Sequence, residues 1–481
     1  MYVMKVGGTS VGNAQRVESV CRIVEAQPLP RAVVVSAVSG VTNLLLEAAT
    51  CAAAGDSAGR AAAVAAIRGK HADVAAGIAD ESERTAALAI LDHLHAALDA
   101  RLDEAAAAAV VPARISDAIV ATGEKAMSVM AAAMLRSRGT PAVHAWADRY
   151  LATDDRFGNA RPNRERTREQ MAALLPDLED GITVVFTGFI GGAPDGSTTT
   201  LGRGGSDYSA TLIGAALDAT EVQIWTDVPG VLSADPRQVA EARVVPAVSY
   251  DEAQELAHFG AKVLHPRTIR PAVSRGIPVR ILSTFLPEEP GTLVTRDAAN
   301  DSVKAVTALK NLLLLTIDVP ELEDLAGASA EVFAALHHAR IEIASVSQAS
   351  SRRRMTYLVD PGAHGGCSAV RSLLDDALAD SDVEADIRCE EGVALVAAVG
   401  AGVASQPSAL ARLLEVLARA GVPVLASSLQ ESNVALTAAV PASQADRAVH
   451  ALHDALIKPQ NGARSRRPRR SDLLAESMRV G

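Results

Sequence analysis

Short apolar, β-branched runs bounded by Gly or Ser recur as far as about residue 300: 3–6, 32–36, 118–121, 182–188, 221–226 and 278–283. Each reads as a strand. Between most of them lie Ala- and Leu-rich stretches with helical spacing, such as 125–138 and 207–217. Strands alternating with helices predict right-handed βαβ units and a parallel sheet covered on both faces. The Ala-rich span from about residue 44 to residue 110 reads as a helical excursion from that sheet.

Around residues 287–302 the chain turns to Pro, Gly, Asp and Asn without apolar periodicity, which marks a domain boundary. Beyond it a unit occurs twice. The first copy is a strand at 311–319, a helix at 329–339 and strands at 342–347 and 355–359. The second runs through 393–399, 408–420, 422–427 and 434–440, with a closing helix at 443–457. Such repeats predict paired ferredoxin-like modules, because one small sheet alone leaves a face and an edge uncovered. The expected architecture is α/β: a mainly parallel αβα sandwich over 1–290, modules over 303–385 and 386–458, and a basic tail over 460–481. The run Arg464-Ser-Arg-Arg-Pro-Arg-Arg470 reads as a solvated, disordered tail. An acidic or nucleic-acid contact, or a linker, is the alternative.

Composition narrows the function classes. At 481 residues the chain exceeds one ordinary core and implies two or three domains. Hydrophobic residues make up 49% and aromatics only 3%, so Ala, Val and Leu carry the packing, as layered α/β folds allow. A net charge of −11 argues against a nucleic-acid surface over most of the chain. Cys21, Cys51, Cys367 and Cys389 form no CxxC pair, so neither a zinc site nor a disulfide framework is expected. The N-terminus lacks a leader pattern, and no run of 18 or more apolar residues is free of charge. A cytoplasmic protein with no membrane or nucleic-acid partner is expected.

Neither GxxxxGK[ST] nor GxGxxG occurs. Small-residue loops supply the candidate chemistry instead. Lys5-Val-Gly-Gly-Thr-Ser10 follows the first strand, where Gly7 and Gly8 let amides approach a polyanion and Lys5 adds compact charge. Ser36-Ala-Val-Ser-Gly-Val-Thr-Asn43 follows the second. Thr200-Leu-Gly-Arg-Gly-Gly-Ser-Asp207 precedes a helix whose N-terminus attracts anions. In an open parallel sheet such loops form the ligand crevice.

These loops carry a resemblance over about residues 2–457 to the aspartate kinase branch of the amino-acid kinase family. The matching motifs are Lys5-Val-Gly-Gly-Thr-Ser-Val11, Val35-Ser-Ala-Val-Ser-Gly-Val-Thr-Asn43, Thr122-Gly-Glu124, Asp155-Arg-Phe-Gly158, residues 198–207, Trp225-Thr-Asp-Val-Pro-Gly230, Asp235-Pro-Arg237 and Phe259-Gly-Ala-Lys-Val-Leu-His-Pro266. The resemblance implies the amino-acid kinase fold followed by tandem ACT domains. It implies ATP-dependent phosphorylation of the L-aspartate side chain, the first step toward lysine, threonine and methionine, with Mg²⁺ arriving on the nucleotide. Arg203 would hold the substrate α-carboxylate and Glu124 its ammonium, with Thr42 and Ser206 completing the site. Lys5 would stabilise the transferring phosphoryl and Asp207 would orient Lys5. Gly7, Gly8, Thr226, Asp227, Arg237 and Lys262 would bind the nucleotide, and no metal ligand set is expected.

Plainer readings stand beside these. Asp207 alternatively caps the helix near Tyr208, and Glu124 is a first-turn acid. Lys262 and His265 alternatively belong to a surface turn. Two positions depart from the family pattern: Val6 stands where Phe is common, and Leu232 where many relatives carry a nucleotide-contacting Tyr. A kinase of another small amino acid, or an inactive sensor, is the alternative function. In the ACT pair, Gly327, Ala328 and Ser329 read as a turn whose amides hold an effector carboxylate, with Ser345 on the partner strand. The effector implied is lysine or threonine, within a homodimer or higher oligomer. Ala344 stands near the place of an Asp that lysine-sensing relatives often carry, so lysine inhibition is expected to be weak, altered or replaced.

Overall fold

The computed structural model describes residues 1–260, 266–297, 302–319, 325–348, 354–380, 384–403, 408–429 and 434–457. They form two compact units. The first takes residues 1–231, 246–250 and 266–297; the second takes 232–245, 251–260 and the described residues from 302 onward. The passage between units is therefore not the single cut near residue 290 that the composition suggests. The reason is apolar: Ala234 and Val239 are buried in the second unit's core with Val306, Leu413 and Leu452.

The strands of the first unit are β1 (Tyr2–Val6), β2 (Arg31–Val35), β3 (Ala142–Ala145), β4 (Thr183–Thr187), β5 (Ile190–Gly192), β6 (Thr198–Thr200), β7 (Glu221–Thr226), β8 (Ala247–Ser249), β9 (Val279–Ser283) and β10 (Thr292–Thr295). Eight of them form one sheet in the order β3-β4-β2-β1-β7-β9-β10-β8. Every pairing is parallel except β9 with β10. All five residues of β2 are buried, as a strand covered on both faces requires. β5 and β6 make a separate hairpin.

The helices are α1 (Ala14–Glu25), α2 (Val41–Ala53), α3 (Ser57–Ala75), α4 (Glu81–Ala108), α5 (Ala113–Ser137), α6 (Arg164–Met171), α7 (Leu175–Glu179), α8 (Gly205–Ala216), α9 (Tyr250–His258) and α10 (Pro266–Arg275). The expected excursion is α2 to α4, with Asp56 and Asp80 capping the two longer helices through Gly59 N and Glu83 N. Residues 118–121, expected as a strand, lie inside α5. A short apolar run is periodicity-neutral, and the continuous burial of 119–124 reflects a helix at the centre of the unit. α5 is long and apolar enough to cross a bilayer by composition, yet 89% of its most apolar window is buried within the protein.

The second unit holds β11 (Ala305–Asp318), α11 (Leu325–His338), β12 (Glu342–Gln348), β13 (Arg354–Asp360), α12 (Cys367–Ala379), β14 (Asp386–Val399), α13 (Ala409–Arg419), β15 (Ala426–Leu429), β16 (Ala435–Pro441) and α14 (Ala445–Leu456). Two βαββα copies share one antiparallel sheet, β12-β13-β11-β14-β16-β15, with the long strands β11 and β14 paired at its centre. Each copy keeps its own core, one around Leu315, Leu336 and Tyr357, the other around Val396, Leu413 and Leu436. One expectation is corrected: Cys367 and Cys389 form a disulfide, with Cα atoms 5.6 Å apart. α12 brings its first residue over β14, a proximity that a separation of 22 residues does not announce. The basic tail lies outside the described residues.

Candidate active site

At the centre of the first sheet, β4, β2, β1 and β7 end level. Val6 pairs with Val35 and with Trp225, and Val35 pairs with Thr187. The loops beginning at Gly7, Ser36, Gly188 and Asp227 therefore leave side by side at the carboxyl ends of parallel strands.

Lys5 is the penultimate residue of β1, and its ammonium lies 2.7 Å from Asp207 Oδ1. The side chains are 12% and 20% exposed, so the pair is partly desolvated while remaining reachable from the crevice. Asp207 is the third residue of α8. Gly204, in the left-handed region at φ +71°, is the N-cap, so Asp207 serves the lysine and caps nothing. Gly8 is needed for closeness: a Cβ there would sit 3.1 Å from the Ala37 carbonyl oxygen.

Glu124 is the twelfth residue of α5, far from the first turn where sequence alone allowed it. It is 3% exposed and accepts a hydrogen bond from Ala37 N at 3.3 Å. Its other oxygen has no partner among the described residues. Burial pushes the carboxyl up to about 8. The approach depends on Gly123, where a Cβ would lie 2.8 Å from that of Ala37. Thr42 is the second residue of α2, behind Gly40 at φ +80°. Ser206 sits at the ends of β2 and β4, so close that a Cβ on Gly188 would come within 2.8 Å of its Oγ. Arg203 is exposed between Gly202 and Gly204 and pairs with no carboxylate among the described residues.

Thr226 closes β7; its carbonyl accepts from Thr284 N at 2.9 Å and its hydroxyl donates to Asp227 at 3.1 Å. Gly7 N donates to Trp225 O at 3.2 Å, which ties the glycine loop to the same strand end. Arg237 belongs to the second unit, where its guanidinium forks onto Asp235. Lys262 lies outside the described residues. In the second unit, Gly327, Ala328 and Ser329 fall inside the first turns of α11 rather than in a turn before it. By helix geometry the Ser329 amide belongs to the intrahelical ladder, so that amide is not one the expected cradle could use. Ser345 lies on β12 beside a register shift against β13.

Two residues escaped the sequence reading. Asp117, 3% exposed on α5, accepts from Gly158 N at 2.9 Å, Thr200 N at 2.7 Å and Thr200 Oγ1 at 2.9 Å. It fastens the Asp155-Arg-Phe-Gly158 loop to the strand that leads into Arg203. An Asp inside an apolar run was the available signal. Phe189 holds φ +68° immediately before β5, its amide donating to Ser209 Oγ at 2.9 Å. A non-glycine residue in that region is strained, a feature common at binding sites.

Glycine-rich loops at the ends of parallel strands, with a lysine–carboxylate pair, an exposed guanidinium and a buried carboxyl, suit a polyanion and a small zwitterion, the reactants of a phosphotransferase. Residues 1–283 match the amino acid kinase family, and residues 396–456 match the ACT domain. The chain is 35% identical to the lysine-sensitive aspartokinase 3 of Escherichia coli, over 95% of this chain and 99% of that protein. It is 32% identical to the chloroplastic aspartokinase 1 of Arabidopsis thaliana, over 95% of this chain and 80% of that one. Against the bifunctional aspartokinase/homoserine dehydrogenase of Haemophilus influenzae it is 31% identical, spanning 56% of that protein. E. coli aspartokinase III solved with aspartate and ADP superposes with a TM-score of 0.78 at 31% identity, covering 95% of this chain and all of that one. The same enzyme with lysine and aspartate gives 0.80 at 32% identity, with the same coverage. The chain belongs to the aspartokinase branch of the amino acid kinase family.

Proposed function

We propose that the first unit transfers the γ-phosphoryl group of ATP to the side-chain carboxylate of L-aspartate, and that the second unit senses an amino-acid end product. The observation that carries the catalytic reading is the level ending of β4, β2, β1 and β7 with the Lys5–Asp207 pair at their mouth.

The Arg203 guanidinium would take the α-carboxylate through its fork, and ionised Glu124 the ammonium. Thr42 and Ser206 would bound the same site. An attacking carboxylate is already ionised at neutral pH, so the chemistry needs no base. The side-chain oxygen forms its bond to the γ-phosphorus as the bridging oxygen departs with ADP. Lys5 would meet the charge on the transferring group, and Asp207 would fix the ammonium in place. Gly7, Gly8, Thr226 and Asp227 would cradle the nucleotide. Among the described residues no cluster of three or more His, Cys, Asp or Glu could hold a metal ion. Mg²⁺ would be carried on the nucleotide phosphates, where it would neutralise their charge.

Glu124 and Arg203 together favour a zwitterionic substrate over an acylated amino acid. Lysine or threonine as effector, assembly into a homo-oligomer through the ACT modules and a cytoplasmic setting complete the proposal. The deciding assay measures ADP release with L-aspartate and ATP, trapping the acyl phosphate as a hydroxamate. Lys5→Ala should abolish turnover while the protein stays folded; near-normal turnover in that variant would sink the assignment.

A further inference from the structure

A cavity of about 560 Å³ opens in the first unit between the segment after β3, α6 and the β5–β6 hairpin. None of the residues proposed for ATP or aspartate lines it. Three cations, Lys125, Arg149 and Arg166, face it against the single carboxylate of Asp148.

The cations differ in their commitments. Lys125 is spoken for: its ammonium is 2.6 Å from Asp148 Oδ2, and the Thr198 hydroxyl donates to the same oxygen at 2.7 Å. Arg149 stands 5.4 Å from the Trp146 ring centroid. Arg149 and Arg166 are exposed, and neither pairs with a carboxylate among the described residues. Three of the lining residues also carry a buried polar atom with no protein partner among the described residues: Trp146 Nε1, Asp148 Oδ1 and Gln170 Oε1. The indole N–H only donates; the two oxygens accept. Buried polar groups left unpaired by protein are costly, so this wall is suited to something that supplies both kinds of partner.

We propose that this cavity is a second small-molecule site, built for a compact polycarboxylic acid that also carries a hydroxyl or ammonium donor. The carboxylates would lie against Arg149, Arg166 and the Trp146 N–H, where planar forks bind them bidentately. The donor would serve Asp148 Oδ1 and Gln170 Oε1. The place also has a bearing on the substrate crevice. Lys125 follows Glu124 directly on α5, and Thr198 opens the strand that runs through Thr200 toward Arg203.

Calorimetric titration of L-malate and succinate into the full chain tests this, with Arg203→Ala and the double variant R149Q/R166Q alongside. Both arginines are exposed, so the double variant should fold, as circular dichroism checks. L-malate should bind the unsubstituted protein saturably and Arg203→Ala equally well. It should bind R149Q/R166Q at least about tenfold more weakly, the scale of lost charge-assisted hydrogen bonds. Succinate, which lacks the donor, should bind about fivefold or more weaker than malate. Absence of saturable malate binding to the unsubstituted protein overturns the proposal, as does binding that Arg203→Ala abolishes and R149Q/R166Q leaves intact. Equal affinity for succinate overturns the role given to Asp148 and Gln170.

Discussion

The ionisation of Glu124 sets a condition on substrate capture that kinetics can read. Its carboxyl is buried on α5, accepts one long hydrogen bond from Ala37 N, and is pushed up to about 8 from an ordinary 4.5. Desolvation is the leading cause, and the bond from Ala37 opposes it only in part. In the proposed site the ammonium of aspartate would be held by Glu124 as the carboxylate. At pH 7, one unit below the carboxyl's midpoint, about one-tenth of the free protein is competent, and the apparent affinity falls by that fraction. At pH 9 about nine-tenths is competent. The value of kcat/KM for aspartate should therefore climb about tenfold from pH 7 to pH 9, or ~1.4 kcal/mol, since this quantity reports the free enzyme's ionisations. Loss of the substrate's own ammonium proton acts in the opposite direction, so a rise cannot come from the ligand.

The assay is initial-rate ADP release at saturating ATP with aspartate varied across that range. Glu124→Gln keeps the volume and an acceptor for Ala37 N but removes the charge. It should lower kcat/KM about 10- to 100-fold, the worth of a hydrogen bond to a charged group, and flatten the profile. A flat profile in the unsubstituted protein, or an unchanged slope in Glu124→Gln, refutes the pairing of Glu124 with the ammonium.

Other consequences follow from particular contacts. Asp117→Asn replaces one acceptor oxygen with an NH₂ donor among groups that donate to it, so kcat/KM for aspartate should drop about tenfold while KM for ATP holds, with ~1–3 kcal/mol lost in urea unfolding; unshifted aspartate kinetics would show the Thr200 tether idle. His71, stacked on His95 with their nitrogens 2.9 Å apart, is held down at about 3 against 6.5, by burial first and then by His95. Between those values the unfolded chain holds the extra proton, so stability is whole above pH 6.5 and drains as pH falls. At pH 5 this group alone should cost about 2 kcal/mol, which His71→Gln should abolish in urea midpoints compared at pH 7 and 5. Ala344 is 7% exposed and brings no counter-charge for an effector ammonium. Added lysine should inhibit weakly, and initial rates with lysine and threonine, separately and together, check it; strong inhibition by low lysine alone defeats the idea.

How much of this was legible in the chain depends on whether a feature is local. β1, β2, β4, β7 and β9 were readable because each is a run of buried branched residues ended by Gly, Ser or Thr. The glycine loops were readable for the same reason. Ala118-Ile-Val-Ala121 was misread because four apolar residues fit a buried strand and a buried helix alike, and the arbiter is what surrounds them. That error matters, since it left Glu124 at a helix start, where a carboxylate is ordinary. In the middle of a buried helix the same carboxylate is expensive, and a site that pays this expense must use it. Gly123 shows why the sequence alone does not reveal it: its meaning lies in the 2.8 Å between an imagined Cβ and Ala37, a residue on another loop. Asp117 and the Cys367–Cys389 bridge were hidden likewise, because their partners are brought by packing. What the order of residues encodes weakly is which polar group is walled in. Those walled-in groups, Glu124 in the crevice and Asp148 in the second cavity, are where the chemistry proposed for this protein resides.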